Sequence, residues 1–315
     1  MKRYNDYNSY LRGLFGRRVQ KISLDAGLGC PNRDGTLSTR GCLYCDHRGS
    51  GSGALLERGL SIEAQVARGI RFARKRYGAE KYIAYFQSFT NTYAPVETLK
   101  RLYDSALNHP GMVGLSVGTR PDCLGDEVLD LLASYSSRFL VWLELGLQSM
   151  HRETLDRINR GHDAACFREA VLRAAGRGLH VCAHIILGLP GETRDMMLQT
   201  AEFLAALPVE GVKIHALYVT EGTEMAEMWR RGDFQCLSRE RYAELVVDIL
   251  ETLPREIVVQ RLTGDPPGAL TCLAPRWAAQ KVRTLDLIQA RMEARGTRQG
   301  GRRCPKPVGD RPSSF

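Results

Sequence analysis

Six short apolar runs that alternate with longer segments of helical spacing constrain the fold of this chain more than any other feature. The runs are rich in β-branched and aromatic residues and lie at 21–25, 81–88, 113–119, 140–148, 180–189 and 211–219. Apolar residues recur every three or four positions in the segments 61–77, 95–107, 125–136, 164–177 and 193–207, the last with Thr193 placed as its cap. Strands that alternate with helices form βα units around a parallel sheet. The sequence therefore predicts an α/β fold, and its periodicity suits a doubly wound sheet and a barrel alike.

The rhythm of strands largely stops near residue 235. Two helical segments follow, at 238–253 and 275–295, with the short apolar stretch EIVVQRL between them. Residues 296–315 are rich in Gly, Arg and Pro and lack periodicity, as is typical of mobile segments. The predicted organisation is a basic aromatic N-terminal segment (1–20), a core domain (21–235), a mainly helical extension (236–295) and a mobile basic tail (296–315).

The composition argues against a membrane protein. No run of about 18 apolar residues is present, and the N-terminal stretch lacks the continuous apolar segment of a secretion signal. We therefore expect a cytoplasmic protein without a membrane partner. In that compartment the nine cysteines stay reduced, and an odd number of them fits thiols and metal ligands better than disulfides.

Positive charge is concentrated at the two ends of the chain. The net charge is +9, of which residues 1–21 and 291–315 carry +5 each, so that the body is nearly neutral. Two basic ends predict a polyanionic partner such as tRNA or another RNA, and the alternative is a pair of solvated tails. Tyr4, Tyr7, Tyr10 and Phe15 lie among the first basic residues. Their rings either stack on unpaired bases or pack an N-terminal helix onto the domain.

Polar residues occur towards the carboxyl ends of five of the predicted strands. Because ligands of parallel α/β folds bind at that edge, these residues predict a shared site. They are Gln87, Ser88, Thr119, Arg120, Glu144, Gln148, His184 and His215. For His184 and His215, a core histidine bonded to the backbone is the alternative.

The segment GCPNRDGTLSTRGCLYC, residues 29–45, contains Cys30, Cys42 and Cys45. A structural zinc site requires a fourth ligand, for which His47 is the nearest candidate. A redox pair leaves Cys30 without a role, and three unrelated thiols are more typical of apolar runs. An iron–sulfur cluster held by three thiolates, with one iron open, is the remaining interpretation. Glycines and small polar residues suit it, because backbone N–H groups can face the sulfides.

The cysteine segment, with an aromatic residue before its last cysteine, resembles the cluster motif of the radical S-adenosylmethionine (SAM) superfamily. Its wider spacing is similar to that of the YhcC-like family, which is related to the Elongator catalytic subunit and to the oxygen-independent coproporphyrinogen dehydrogenase branch. Further stretches that agree are YFQSFTNTYAP, SVGTRPDCL, ELGLQS, INRGH, HIILGLPGET and QRLTGDPP. The resemblance implies a partial (βα)6 TIM-type barrel with a C-terminal, mainly helical extension.

The resemblance also implies the chemistry. Cys30, Cys42 and Cys45 would hold one 4Fe–4S cluster, and its open iron would bind the amino and carboxylate groups of SAM. A reductant such as flavodoxin or ferredoxin would drive reductive cleavage of SAM to methionine and a 5′-deoxyadenosyl radical, which takes hydrogen from the substrate.

Further residues carry over from the resemblance as contacts of SAM. Tyr44 would lie beside the adenine, and Gln87 and Ser88 stand where many relatives have a glycine-rich motif. Gln148 and Arg160 keep the twelve-residue separation of two SAM contacts in the coproporphyrinogen dehydrogenase branch, and an Arg suits a carboxylate. Additional candidates are Thr119, Arg120, Glu144 and His184, the last in the place of an acidic ribose contact.

These features predict an enzyme that modifies RNA, and tRNA in particular. One alternative is the same chemistry on a small molecule or a tetrapyrrole, with incidental basic ends. A second alternative is a cluster-bearing binding or scaffold protein without turnover. Fold alone does not decide among them.

Overall fold

A seven-stranded parallel sheet forms the centre of the protein. The computed structural model describes residues 2–49, 59–264, 266 and 271–302. In chain order, its helices and strands are α1 (Tyr7–Phe15), β1 (Val19–Leu24), α2 (Ile62–Tyr77), β2 (Lys81–Phe86), α3 (Val96–Leu107), β3 (Met112–Thr119), α4 (Asp126–Ser134), β4 (Leu140–Gln148), α5 (Arg152–Arg157), α6 (Ala164–Ala175), β5 (His180–Leu187), α7 (Arg194–Ala205), β6 (Gly211–Ala216), β7 (Val219–Thr220), α8 (Glu224–Arg231), α9 (Arg239–Thr252), β8 (Val258–Arg261), β9 (Cys272–Ala274) and α10 (Lys281–Ala294).

The sheet has the strand order β1-β2-β3-β4-β5-β6-β8, and every neighbouring pair is parallel. It curls into a partial barrel. The curl brings its outer strands together inside, where Lys21 Nζ on β1 donates to Gln260 Oε1 on β8 at 2.8 Å. The α/β partial barrel expected from the resemblance is therefore confirmed.

The barrel has one strand more than the six that the apolar runs predicted. The additional strand, β8, comes from the stretch EIVVQRL inside the segment expected to be mainly helical. Val258 and Val259 are each 3% exposed, and β8 pairs with Gly211 and Val212 of β6. Two β-branched residues that find a free sheet edge form a strand there, because strand formation depends on such pairing.

The core lies between the sheet and the helices that cover its outer face. Phe86, Leu115, Leu143, Val181 and Ile214, from five successive strands, are completely buried. Strands β2 and β4 are buried along almost their whole length, as expected of parallel strands covered on both faces. Within the described ranges, no helix has the length and apolar character needed to cross a membrane.

The N-terminal aromatic residues pack against the barrel, so the second of the two interpretations of these rings is correct. Asp6 caps α1 by accepting a hydrogen bond from the Ser9 N–H at 3.3 Å. Tyr7 and Tyr10 lie edge-on to the buried Trp142, with ring centres 6.1 and 6.0 Å from it. Together these rings close the end of the barrel at which the strands begin.

Residues 296–302 are packed, which corrects the expectation of a mobile segment for this part of the tail. Gln299 is 2% exposed. Its N–H donates to Arg3 O at 2.9 Å, its Oε1 accepts from Asn5 N at 2.9 Å, and its Nε2 donates to Pro254 O at 2.6 Å. Residues 303–315 of the predicted tail lie outside the described residues.

Much of the positive charge near the C-terminus is neutralised internally. Arg295 donates to Asp248 at 2.8 Å, and Arg302 donates to Asp248 and Glu251 at 2.7 Å each. Arg291 pairs with Glu244 at 3.0 Å. The acidic face of α9 therefore balances arginines that the sequence analysis had assigned to a polyanionic partner.

Candidate active site

One cavity lies at the carboxyl ends of the strands, where the loops that follow β1 to β4 meet. Parallel strands place their carboxyl ends at one edge, which explains why these residues converge. Every residue predicted to bind the cluster or SAM lines this cavity: Cys30, Cys42, Tyr44, Cys45, Gln87, Ser88, Thr119, Arg120, Glu144, Gln148, Arg160 and His184. Their individual roles remain predictions.

The cysteine loop, residues 29–45, is a series of turns that follows β1. The Cys30 oxygen accepts hydrogen bonds from the N–H groups of Arg33 at 2.8 Å and Asp34 at 3.2 Å. The Cys42 oxygen accepts from the Cys45 N–H at 2.9 Å. These turns bring all three cysteines to one wall of the cavity, with Cys42 buried and the other two half-buried.

The segment 158–162, which contains the INRGH motif, holds the cysteine loop against the barrel. Asn159 Nδ2 donates to Gly41 O at 2.7 Å, and Asn32 Nδ2 donates to Asn159 O at 2.7 Å. Asn159 has a φ of 52°, a left-handed conformation that Asn adopts more readily than most residues. The motif is therefore a structural clamp on the loop as well as the source of Arg160.

Arg160 extends from this segment to the buried thiol of Cys42. Its Nη1 lies 3.6 Å from Cys42 Sγ, and its Nη2 donates to Gly146 O at 2.7 Å. The residue is 6% exposed, and its Nε has no hydrogen-bond partner among the described residues. A buried guanidinium with a remaining donor suits a ligand carboxylate, which is the role predicted for Arg160.

The guanidinium of Arg120 is engaged within the protein. Its Nε and Nη2 bind the two oxygens of Asp122 at 2.9 and 2.7 Å, and its Nη1 donates to Arg160 O at 2.9 Å. All three guanidinium nitrogens are thus engaged within the protein. We therefore propose that Arg120 positions Arg160, and its contact with SAM stays a prediction.

Two further polar residues predicted at strand ends, Gln87 and Thr119, are held by side chains of a neighbouring strand or loop. Gln87 Nε2 donates to Ser23 Oγ at 3.0 Å, and the hydroxyls of Thr119 and Thr92 share a hydrogen bond of 2.6 Å. Ser88 lines the cavity beside Gln87. These bonds fix the wall of the cavity formed by β2 and β3.

Gly146 leaves the space into which two predicted SAM contacts fold. A Cβ at this position would lie 2.6 Å from both Arg160 Nη2 and Gln148 Nε2. Gln148 has a φ of 74°, and the pairing of β4 with β5 shifts between Gly146 and Gln148. The irregular end of β4 thus directs the Gln148 side chain back across the glycine.

Buried charged side chains form the floor of the cavity. Glu144 is 1% exposed and accepts hydrogen bonds from Ser116 Oγ at 2.6 Å, His184 Nε2 at 2.9 Å and Lys21 Nζ at 2.5 Å. Lys213, which is 4% exposed, pairs with the same carboxylate. Two ammonium groups therefore share one buried carboxylate.

Burial and neighbouring charges set the protonation states of this floor. Although burial opposes ionisation, Lys21 and Lys213 hold the pKa of the Glu144 carboxyl well below its usual value. Burial, followed by the charge of Lys213, lowers the pKa of His184 to about 4. Burial lowers the pKa of Lys213 to about 7. At neutral pH His184 is consequently uncharged, and Lys213 can gain or release a proton beneath the cavity.

His215, the second histidine considered in the sequence analysis, lies next to His184, with ring centres 5.4 Å apart. Its Nε2 is buried and has no hydrogen-bond partner in the described part of the chain. Burial lowers the pKa of His215 well below its ordinary value. A neutral ring with an unsatisfied nitrogen is a poor fit to the alternative of a histidine bonded to the backbone.

Two cationic residues of the floor were not among the predicted site residues. Lys21 was included in the N-terminal charge of residues 1–21, but its side chain points into the barrel and reaches Glu144. Lys213 lies in the apolar run GVKIHALYV, where a single charged residue is the same signal that identified Glu144. That signal was sufficient to find Lys213. The Lys21 ammonium pairs with Glu144 inside the barrel and so does not contribute to RNA binding at the surface.

Comparison with known proteins places the chain in a family. Residues 28–204, more than half of the chain, match the model of the radical SAM superfamily, and residues 209–294 match that of its C-terminal domain. The chain belongs to the radical SAM superfamily. It is therefore an enzyme, and its cofactors are the 4Fe–4S cluster and SAM that members of this superfamily bind.

Individual relatives confirm the resemblance to the YhcC-like family. YtqA of Bacillus subtilis is 44% identical over 305 residues, which cover 95% of this chain and 92% of YtqA. YhcC of Escherichia coli is 40% identical over 281 residues, which cover 89% of each chain.

More distant relatives are larger than this chain. A tRNA uridine(34) acetyltransferase of Methanocaldococcus infernus is 30% identical over 196 residues, covering 61% of this chain and 35% of that enzyme. The solved structure of Elp3 from the same archaeon superposes with a TM-score of 0.68 at 20% identity, covering 89% of this chain and 64% of that one. The superposition shows a shared fold.

The residues around the cavity of this radical SAM enzyme fit both cofactors. Three cysteine thiols of one loop are the donor set of an iron–sulfur cluster. Within the described ranges, no three His, Cys, Asp or Glu side chains are grouped closely enough for a single metal ion. A cluster takes each cysteine on a different iron and so needs no such group. Arg160 Nε and Thr90 Oγ1 are buried beside the cavity and have no hydrogen-bond partner among the described residues. Both can therefore bind a polar ligand such as SAM.

We expect Gly146→Ala to weaken SAM binding about tenfold or more. The added Cβ would displace the Arg160 guanidinium, and a lost charge-assisted hydrogen bond has an effect of this size. Equilibrium dialysis of SAM against the reconstituted enzyme measures the affinity. Gly125→Ala is the matched control, because a Cβ there meets no atom within 4 Å. Equal affinities of both variants would contradict the role given to Gly146.

Proposed function

We propose that this radical SAM enzyme modifies RNA, and tRNA in particular. The observation that carries the proposal is its identity of 30% over 196 residues with a tRNA uridine(34) acetyltransferase. Because the likeness covers 35% of that enzyme, acetyl transfer is not part of the proposal. The basic N-terminal segment, some of whose cations remain on the surface, supports a substrate rich in phosphate.

In this proposal Cys30, Cys42 and Cys45 would hold the cluster, and the polar residues at the strand ends would bind SAM. When bound, and with electrons from a flavodoxin or ferredoxin, these cofactors would supply the radical chemistry that removes a hydrogen atom from the substrate. We place the activity in the cytoplasm, where the cysteine thiols stay reduced.

The protein's own residues would orient the reactants and exclude water. Arg160 would bind the carboxylate of SAM, and Arg120 fixes the backbone from which Arg160 extends. Below them, Glu144 and Lys213 form a buried ion pair that would fix the floor of the site.

The test is the formation of 5′-deoxyadenosine by the anaerobically reconstituted, reduced enzyme. It would be given SAM with and without total tRNA from a strain that lacks the enzyme. We expect tRNA to raise the rate markedly, and the altered nucleoside can then be mapped. A rate that is indifferent to tRNA would overturn the proposal in favour of a small-molecule or tetrapyrrole substrate. No cleavage by enzyme with a verified cluster would instead favour a binding or scaffold role.

A further inference from the structure

The outer face of α2 carries unpaired cations around an exposed aromatic ring. Arg71, Arg74 and Lys75 are exposed, and no ion pair joins them to any other described residue. Phe72 lies among them with 62% of its surface exposed, and Arg76 extends the face towards the end of the helix. We call these five residues the α2 basic face.

The α2 basic face is continuous with the basic N-terminal segment. The Arg18 guanidinium lies over the ring of Tyr77, 4.9 Å from its centre, and Phe72 meets the same ring edge-on at 6.0 Å. Arg17 pairs with Glu80, just beyond α2. Cations that are some 60 positions apart in the sequence thus form one surface, and the near-neutral total for the body of the chain conceals it.

The cations of the α2 basic face are unpaired within the described residues, whereas arginines near the C-terminus are paired with carboxylates. Arg295 and Arg302 are held by carboxylates of α9, so they present little unbalanced charge to a partner. Arg71, Arg74 and Lys75 have no such carboxylates among the described residues. A polyanion is therefore attracted to the α2 end of the molecule more strongly than to α9.

We propose that the α2 basic face, together with Arg18, docks the phosphate backbone of the RNA substrate. The inference rests on the proposed function and states where that substrate is held outside the cavity. Arginine and lysine side chains bind phosphates without reading sequence, and Phe72 offers a ring on which an unpaired base stacks.

The position of the face favours RNA over an acidic electron-donor protein. The N-terminal end of α2 lies near the cavity, where Gln65 binds the backbone of Asp25 at 2.9 Å. The helix has 16 residues and so carries its basic end about 24 Å away, towards the start of the strands. An electron donor has to approach the cysteine loop closely, whereas a folded RNA is long enough to reach from this face to the cavity.

The test compares tRNA binding by two full-length, reconstituted variants that lose the same charge. Labelled total tRNA would be titrated at salt concentrations from about 50 to 200 mM. Glutamine replaces the cations, because it supports helices about as well as arginine and lysine do. The test variant is Arg71→Gln/Arg74→Gln/Lys75→Gln, and the control, on exposed residues of α9 and α10, is Arg241→Gln/Lys281→Gln/Arg283→Gln.

We expect the test variant to bind tRNA about tenfold or more weakly at low salt and to reduce the slope of log affinity against log salt by about 2 to 3. The control should stay within about twofold of the wild type, because its residues lie outside the proposed contact. Phe72→Ala should weaken binding about fivefold or more at every salt concentration, since stacking is not ionic. Thermal unfolding by circular dichroism verifies that each variant is folded.

Three outcomes would overturn the inference: unchanged binding by the folded test variant, equal weakening by the control, and a loss of affinity for reduced flavodoxin without a loss for tRNA. The proposed function is judged separately by whether tRNA stimulates 5′-deoxyadenosine formation in the wild type. Stimulation combined with unchanged binding by the test variant would remove the docking surface and leave the function standing.

Discussion

We expect Cys45→Ala to abolish assembly of the 4Fe–4S cluster while the barrel remains folded. Cys45 is half-buried in the cysteine loop and does not belong to the main apolar core. The turn that positions it depends on its backbone N–H, which the substitution keeps. With one thiolate missing, two cysteines remain to hold the cluster. Iron content and the visible absorption of the reconstituted protein measure its loss, and circular dichroism reports the fold.

Cys166→Ala is the matched control for this experiment. Cys166 is also half-buried, but it lies on α6, and burial raises the pKa of its thiol to about 11. Cys166 does not line the cavity, so the control should keep its full iron content. Normal iron in the Cys45 variant, or equal loss from both, would refute the ligand assignment.

The second large effect is expected from Glu144→Gln, which should lower the free energy of unfolding by about 3–5 kcal/mol. The substitution keeps the shape of the side chain but removes the only carboxylate that contacts both Lys21 and Lys213 in the described structure. Buried ammonium groups then lack a counter-charge. Urea unfolding measures the change. The control is Glu210→Gln, which removes an exposed carboxylate paired with His180 and should cost less than about 1 kcal/mol.

The pH dependence distinguishes this electrostatic cause from simple loss of packing. In the wild type, Lys213 has a pKa of about 7, so below that pH it is protonated in both the folded and the unfolded state. Without Glu144 its folded pKa falls further, and the folded variant then binds fewer protons than the unfolded chain. Stability of the variant should therefore rise with pH between about 5 and 7, where Lys213 adds no slope in the wild type. Parallel curves for the two proteins would contradict this account.

The regular part of the fold is readily predicted from the sequence because local chemistry specifies it. Strand β4, predicted at 140–148, has those bounds, and Thr193 caps α7 by accepting from the Met196 N–H at 3.3 Å. One exception is β8, whose four residues have little periodicity. Its pairing with β6 joins segments that are distant in the sequence, which no local pattern encodes.

The position of the cavity can be predicted from the topology of a parallel sheet, whereas the ion pairs around it cannot. Polar residues at the ends of parallel strands must meet, and so the predicted residues share one cavity. The direction of the Lys21 side chain depends on the register of β1, which the sequence does not reveal. The pairing of Arg295 and Arg302 with α9 is likewise a tertiary contact, and net charge by segment therefore misjudged which cations face a partner.

The hydrogen bond between Asn5 and Gln299 joins residues 294 positions apart, and it has a consequence for biosynthesis. Helix α1 covers Trp142 and contacts β8, and Asn5, just before the helix, accepts a hydrogen bond of 2.7 Å from the Val259 N–H of β8. A nascent chain on the ribosome lacks both supports until its last segments emerge. We therefore expect α1 to dock stably over Trp142 only late in folding, after β8 and the segment around Gln299 have been made.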